Sequence, residues 1–152
     1  MGCTESSAED TENTLRYSIN KQFTVYAKVL GDDDFELKKL IDSGFLVDYK
    51  MPAFSRRTAL HIAAENGSIK CIKLLLALKA EINPKDNYNR TPVMLAAKSE
   101  SKECVELLIR AGATTKGRTT FDTTITDYIP KNNNRHRIRS ALSMGDMSSL
   151  NT

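Results

Sequence analysis

At 152 residues, the chain has the length of a single domain that can bury an ordinary hydrophobic core. Hydrophobic residues make up 40% and charged residues 27%, a balance typical of globular rather than disordered or fibrous proteins. No run of about eighteen apolar residues occurs, so the sequence predicts no membrane span. Residues 1–48 hold ten acids and five bases, whereas residues 49–152 hold nine acids and seventeen bases. That excess is too small to indicate nucleic-acid binding, and we expect no nucleic-acid partner.

The first six residues, Met1-Gly2-Cys3-Thr4-Glu5-Ser6, match the signature for N-myristoylation. We predict a myristoyl chain on Gly2 and a palmitoyl chain on Cys3. A single myristoyl chain binds a bilayer only marginally, with a constant of about 10⁴ M⁻¹, so stable attachment needs a second signal. Residues 1–12 carry four acids and no base, which an anionic leaflet repels, and the second signal therefore has to be Cys3. The alternative is an ordinary flexible N-terminus that begins with Met-Gly.

Residues 13–30 form the first helix candidate. Its apolar residues fall on one helical face: Leu15, Ile19, Phe23, Tyr26 and Leu30. We interpret this face as packing on the helices that follow. The alternative is a helix that lies on a membrane, but such a helix favours Lys and Arg along its polar face, and this segment has few.

An internal repeat with a period of 33 residues dominates the middle of the chain. The segment Arg57-Thr58-Ala59-Leu60-His61-Ile62-Ala63-Ala64 recurs as Arg90-Thr91-Pro92-Val93-Met94-Leu95-Ala96-Ala97. At the same offset, Cys71-Ile72-Lys73-Leu74-Leu75-Leu76 recurs as Cys104-Val105-Glu106-Leu107-Leu108-Ile109. One helix pair cannot bury its apolar stripe alone, so the period predicts a stack of several pairs.

These segments resemble ankyrin repeats, whose pattern is T-P-L-H-x-A-A followed by a helix with L-L and then G-A. The resemblance implies an all-α solenoid of helix-turn-helix units. Clear repeats cover residues 54–86 and 87–119, and degenerate capping repeats complete a domain of residues 13–142. Residues 1–12 are expected to be a flexible acylated segment and residues 143–152 a disordered tail. In the C-terminal cap, Asp127 takes the place of the motif histidine.

Single residues explain how each unit begins and ends. Thr58 and Thr91 can cap the first helix of their repeats, and Pro92 suits the first helical position. Ala111-Gly112-Ala113 supplies a C-terminal stop for the second helix. Lys79 replaces that glycine in the preceding repeat, and we expect its turn to be more strained.

The sequence offers no group of residues suited to catalysis. The resemblance gives His61 a structural role, in which it bridges hydrogen bonds between loops. Cys71 and Cys104 share a buried helix position where cysteine acts as a small hydrophobe. No set of three or four clustered ligands, phosphate-binding loop or nucleophile elbow occurs, so we expect no metal, no cofactor and no enzymatic activity.

Protein binding is the function that the resemblance implies. Ankyrin repeats present the tips of their hairpins and the outer positions of their first helices on one concave surface. Carried over to this chain, the candidate protein-binding residues are Phe54, Arg57, Tyr88, Arg90 and Phe121. Tyr88 and Phe121 are 33 residues apart and should lie side by side, as should Arg57 and Arg90. The alternative is a solvated loop edge with incidental aromatic residues.

Two further expectations concern the positions next to these tips. The segment Met51-Pro52-Ala53-Phe54 has no evident packing role within a repeat, which makes it the most distinctive patch. Four helix residues are expected to flank the tips: Glu65, Asn66, Lys98 and Ser99.

Together these patterns favour a membrane-anchored adaptor. We expect a monomer that is held by its lipids at the cytoplasmic face of a membrane, with the plasma membrane favoured, and that captures a protein partner there. The alternative is a compact regulator that inhibits a kinase or other enzyme by occlusion.

Overall fold

The computed structural model describes residues 19–129 and 135–148, and side chains as far as residue 143. The helices are α1 (19–30), α2 (Asp34–Asp42), α3 (Ala59–Asn66), α4 (Ile69–Ala77), α5 (Pro92–Lys98), α6 (Lys102–Arg110) and α7 (Arg135–Ser148). Two short 3-10 helices cover Pro52–Phe54 and Ile125–Tyr128. Over this described part of the chain there is no β-strand, and the prediction of an all-α fold is confirmed.

The helices stack in two rows. Helix α3 packs on α5, and α5 packs on the 3-10 helix Ile125–Tyr128, which forms the row of first helices. Helices α2, α4 and α6 pack in succession, and α7 covers α6, which forms the second row. This arrangement is the predicted solenoid, in which each unit buries its apolar face only against its neighbours.

Thr58 and Thr91 occupy the N-cap positions of α3 and α5, as predicted, but Thr58 alone of the two caps with its side chain, because Thr91 Oγ1 is buried without a hydrogen-bond partner among the described residues. In α3, the backbone N–H of Thr58 donates to Nδ1 of His61, and the Thr58 side chain accepts in return from the His61 backbone. Asp127 does the same at the C-terminal end, where its Oδ2 accepts the Thr124 N–H at 2.8 Å. Asp127 therefore takes the place of the motif histidine, because a carboxylate oxygen accepts the same backbone hydrogen bond.

The core contains large apolar residues from both rows of helices, together with small residues at equivalent positions of successive repeats. Ala63 and Ala64 of α3 and Ala96 and Ala97 of α5 are completely buried, which lets the helices approach closely. Cys71 and Cys104 are buried free thiols in equivalent positions of α4 and α6. Burial raises the pKa of Cys71 to about 12 and also raises that of Cys104, so both act as small uncharged core residues.

The turns that end the second helices need a left-handed backbone. Gly44 and Gly112 adopt φ values of 103° and 100°, while Lys79 adopts 59° at the corresponding place after α4. A side chain in this region costs about 1 kcal/mol relative to glycine, because Cβ lies too close to the backbone. The predicted strain at Lys79 is therefore confirmed.

The predicted buried face of α1 is wrong. The residues that enter the core are Val25 and Val29, with Gln22 also buried, whereas Ile19, Phe23 and Leu30 are about half exposed. Tyr26 lies between the two faces, and Leu15 is outside the described residues. The difference is tertiary: on the buried side of α1, the Val29 carbonyl accepts from the Ser68 hydroxyl, which lies between α3 and α4, at 2.7 Å.

The C-terminal end differs from the expected disordered tail of residues 143–152. Helix α7 continues through Ser148, so residues 143–148 are helical, and residues 149–152 are outside the described part. Ile138, Ala141 and Leu142 bury one face of this helix in the core. Once packing holds the first turns, each added residue contributes a hydrogen bond without a new nucleation cost, which extends the helix beyond the core.

Candidate protein-interaction surface

Three hairpin-like loops connect successive repeats, and we call them fingers. Finger 1 is residues 51–57, finger 2 is residues 86–90 and finger 3 is residues 119–123. Backbone hydrogen bonds close each finger between its first and last residues, with N···O distances of 2.9, 3.2 and 2.9 Å respectively. Each finger is therefore a defined turn that holds its tip in a fixed position.

Backbone hydrogen bonds also join the fingers to one another. The Asn87 N–H donates to the Ser55 carbonyl at 3.0 Å, and the Thr120 N–H donates to the Tyr88 carbonyl at 3.0 Å. The three fingers therefore form one continuous row, which we call the finger row. Because these bonds are between backbone atoms, the register of neighbouring fingers does not depend on mobile side chains.

Tyr88 and Phe121 form an exposed aromatic pair on the finger row. Their ring centroids are 6.0 Å apart with an interplanar angle of 24°, and the residues are 39% and 69% exposed. The guanidinium of Arg90 lies 4.6 Å from the centre of the Tyr88 ring. The predicted side-by-side placement of Tyr88 and Phe121 is confirmed, and the pair offers a rigid apolar contact.

Phe54 has a different environment from the one expected. Its ring stacks on Tyr26 at a centroid distance of 4.4 Å and meets Phe23 edge to face at 5.1 Å. Met51, at the start of finger 1, is completely buried. The expectation that the segment 51–54 has no packing role is therefore wrong, because α1 presents two aromatic rings to finger 1. Phe54 consequently fastens finger 1 to the N-terminal helix.

Arg57 and Arg90 meet at one buried carboxylate, that of Asp86. Oδ2 of Asp86 accepts from Arg90 Nε at 2.8 Å and lies 3.6 Å from Arg57 Nε. Oδ1 accepts the backbone N–H groups of Tyr88 at 2.8 Å and Arg90 at 2.9 Å. Burial opposes ionisation of this carboxyl, but the hydrogen bonds from Arg90 and Tyr88 outweigh it and lower the pKa of Asp86. The two arginines do lie together, as predicted, and their contacts are largely internal.

Asp86 is the important residue that sequence reasoning missed. Its side chain is completely buried, and it organises the tip of finger 2 by accepting from the backbone two and four residues later. An aspartate that accepts the N–H two residues on is a recognised turn signal. Asp86 immediately before Asn87-Tyr88-Asn89 carried that signal in the sequence.

The helix residues expected beside the tips partly neutralise one another. Glu65 pairs with Arg57 and also with Lys98, whose Nζ lies 3.3 Å from Glu65 Oε1. The side chains of Asn66 and Ser99 donate to carbonyls of their own helices. These contacts stiffen the surface next to the finger row.

His61 joins two repeats from a fully buried position. Its Nδ1 accepts from the Thr58 N–H at 3.2 Å, so Nε2 carries the proton and donates to the Arg90 carbonyl at 2.9 Å. Burial lowers the pKa of His61 from 6.5 to about 4, which keeps the ring neutral. The expected structural role is confirmed, and the histidine supports finger 2 through Arg90.

The repeats were compared with known proteins. Residues 24–119 match the family model of ankyrin repeats in three copies. The chain belongs to the ankyrin-repeat family. The match includes the N-terminal unit that sequence reasoning treated as a degenerate cap, so this unit is an ankyrin repeat.

Two individual proteins illustrate the similarity. The crystal structure of the human ASB11 ankyrin repeat domain superposes with a TM-score of 0.68 at 25% identity, over 79% of this chain and 53% of that one. The Arabidopsis thaliana protein Serine/threonine-protein kinase 12 is 46% identical over 56 residues, which is 37% of this chain. The aligned stretch spans only 12% of that kinase. Ankyrin repeats are protein-interaction modules, and the fold is generally non-catalytic.

Two other expectations concern chemistry and membranes. Among the residues that the structure describes, no group of three or more His, Cys, Asp or Glu side chains could hold a metal ion. No helix within the described ranges is both long and apolar enough to cross a membrane. Gly2 and Cys3, the predicted lipidation sites, lie outside the described residues.

Proposed function

We propose that this chain is a lipid-anchored ankyrin adaptor that captures a protein partner with its finger row. The observation that carries the proposal is the exposed Tyr88–Phe121 pair, held in place by the finger-to-finger hydrogen bonds. Aromatic side chains dominate interface energies, and truncation of a hot-spot residue costs about 2 kcal/mol or more. A pair fixed before binding loses little conformational entropy when a partner arrives.

The internal contacts of the other candidate residues divide the proposed surface into two parts. Tyr88 and Phe121 contact the partner directly. Arg57 and Arg90 hold the shape of fingers 1 and 2 through Asp86 and Glu65, and Phe54 fixes finger 1 to α1. In this arrangement, substitutions of the first group weaken binding without unfolding the protein, whereas substitutions of the second group also affect stability.

The anchoring part of the proposal rests on the motif Met1-Gly2-Cys3. Two acyl chains at Gly2 and Cys3 would hold the protein at the cytoplasmic face of a membrane, most naturally the plasma membrane. Anchoring raises the effective concentration of a partner in the same layer without any new contact. Because palmitoylation is reversible and a myristoyl chain alone binds marginally, loss of the Cys3 chain would release the adaptor.

Metabolic labelling with alkyne analogues of myristate and palmitate tests the anchoring. The wild-type chain should take up both labels and sediment with membranes. Gly2→Ala should lose both labels, and Cys3→Ser should lose only the palmitate label and move largely to the supernatant. A wild-type chain that takes up neither label contradicts the anchoring and leaves a protein-binding module without a membrane.

A pull-down from a membrane fraction tests the binding surface. The variant with Tyr88→Ala and Phe121→Ala should lose most of the partners that the wild-type chain recovers. The matched control replaces Phe35 and Leu46 by alanine, since both are large, apolar and more than half exposed but belong to none of the three fingers. If the Tyr88 and Phe121 variant recovers the partners as well as the control variant does, the partner contacts another surface.

Occlusion of an enzyme is a second candidate function. The similarity of 56 residues to part of a protein named Serine/threonine-protein kinase 12 favours it, because the matched stretch there belongs to a chain named for kinase activity. Addition of the purified chain to an enzyme captured in the pull-down separates the two functions. An adaptor leaves turnover unchanged, whereas an occluding regulator lowers it in proportion to binding.

A further inference from the structure

The finger row carries a second repeating feature, which is basic. Lys50, Lys85 and Arg118 each directly precede the first residue of a finger, and we call these three residues the base row. Lys85 and Arg118 are exposed and Lys50 is partly buried. Each base-row residue directly precedes the residue whose N–H closes its finger, so the three occupy equivalent positions at the entrances of neighbouring fingers.

Basic residues outnumber acidic ones in the strip formed by the finger row and the base row. The segments 50–57, 85–90 and 118–123 together hold six bases and only two acids, Asp86 and Asp122. Asp86 is completely buried against Arg90 and Arg57, and Asp122 pairs with Arg118 at the surface at 2.7 Å. The exposed part of the strip is therefore positive, in a chain whose whole net charge is only +3.

We propose that the finger row binds an acidic, extended segment of its protein partner. An apolar side chain of that segment contacts the Tyr88–Phe121 pair, and its carboxylates face the base row. Complementary charge of this kind speeds association and selects the partner more than it adds affinity, while the apolar contact supplies most of the binding free energy. The proposal rests on the function given above and specifies the chemistry of the partner.

A single-stranded nucleic acid is the other polyanion that aromatic and basic residues can bind. Such binding needs open ring faces on which successive bases stack. Here the Tyr88 ring already packs against Phe121 and lies under the Arg90 guanidinium. An apolar side chain needs only the exposed edge of this pair, so the geometry favours a peptide.

Selection from a phage-displayed library of random short peptides tests the proposal with the full chain as bait. Peptides enriched on the wild-type chain should contain more Asp and Glu than the library and share an apolar residue. The base-row variant (Lys50→Glu, Lys85→Glu, Arg118→Glu) should lose this preference for acids. The matched control (Lys38→Glu, Lys70→Glu, Arg110→Glu) changes the net charge equally, at exposed positions of the second helices α2, α4 and α6, and should keep it.

Fluorescence anisotropy with the most enriched peptide then gives the size of the effect. The base-row variant should bind at least about tenfold more weakly than the wild-type chain, and the control variant within about threefold. If the Glu substitutions disturb folding, as circular dichroism would reveal, the same comparison uses Gln at the three positions. A single-stranded DNA oligonucleotide serves as the competing probe.

Several results would overturn the proposal: no enrichment, enrichment without excess acid, an acid preference that survives in the base-row variant, or tighter binding of the oligonucleotide than of the peptide. These failures are distinguishable from failure of the proposed function. Enriched peptides that are not acidic but still require Tyr88 and Phe121 leave the adaptor intact. Absent lipid labelling removes the anchor and leaves the peptide result unchanged.

Discussion

The Asp86 carboxylate and the Arg90 guanidinium meet at 2.8 Å at the base of finger 2, where the Asp86 side chain is completely buried. The same carboxylate accepts the backbone N–H groups that shape the finger. Asp86 therefore fixes the backbone that carries Tyr88, and it also neutralises the positive charge of the neighbouring arginines.

Asp86→Ala should consequently destabilise the protein. Removal of one partner from a buried ion pair leaves the other charge uncompensated, and we expect a loss of about 3 kcal/mol in the free energy of unfolding. The control is Asp122→Asn in finger 3, which removes the charge of an exposed ion pair with Arg118 but keeps a residue type that tolerates the local φ of 57°, and it should change stability by less than about 0.5 kcal/mol. Urea unfolding of both variants measures the difference, and equal effects would contradict the role of Asp86.

His61 should make the fold sensitive to mild acid. Its pKa is lowered to about 4 in the folded protein, so the unfolded chain binds the proton more readily between pH 4 and the ordinary value of 6.5. The free energy of unfolding therefore has its full value above pH 6.5. It falls as the pH decreases through this window, by about 2 kcal/mol at pH 5. Urea unfolding at pH 7 and pH 5 tests this expectation.

The matched control for acid sensitivity is the exposed histidine, His136. The His136→Gln variant should lose as much free energy of unfolding between pH 7 and pH 5 as the wild-type protein does. The His61→Gln variant should be less stable at pH 7, but its free energy of unfolding should decrease much less at pH 5. A wild-type protein equally stable at both pH values would show that His61 is not buried in its neutral form.

Lys79→Gly should stabilise the protein. The backbone at Lys79 has φ of 59°, and glycine removes the cost of Cβ in that region, which is about 1 kcal/mol before glycine's own entropy cost in the unfolded chain. The contrasting variant is Lys73→Gly inside α4, which should destabilise by about 1 kcal/mol. Thermal unfolding separates the two, since the predicted shifts have opposite signs.

Cys71 and Cys104 should resist alkylation in the native protein. Both thiols are buried, and their raised pKa values keep the reactive thiolate scarce at pH 8. Mass spectrometry after iodoacetamide treatment should find both unmodified in buffer and both modified in urea. Rapid modification of either one without denaturant would contradict the packed core.

The sequence predicted most of the fold because the repeat encodes it locally. Thr58 and Thr91 recur with the period and both occupy N-cap positions, and Cys71 and Cys104 recur with it and are both buried in the core. The same logic placed Tyr88 beside Phe121. Positions whose neighbours are set by the period were therefore predictable.

The errors lie where the chain departs from the repeat. The rotation of α1 and the packing of Phe54 on Tyr26 depend on contacts between the first finger and the N-terminal unit, which the period does not describe. The importance of Asp86 depends on two arginines, one from a different finger, that converge on it. The turn signal of Asp86 was present in the sequence, but its pairing with Arg57 and Arg90 is a tertiary relationship, as is the packing of Phe54, and residue type and spacing alone did not indicate either.

Site-specific photocrosslinking in cells tests the central claim most directly. A benzoylphenylalanine at position 121 should form a discrete adduct with a protein partner, and the same group at the exposed position 46 should not. The adduct should diminish strongly when Gly2→Ala is added, because the partner is met at the membrane. Adducts of equal yield at both positions, or an adduct only at position 46, would contradict the finger row as the site of capture.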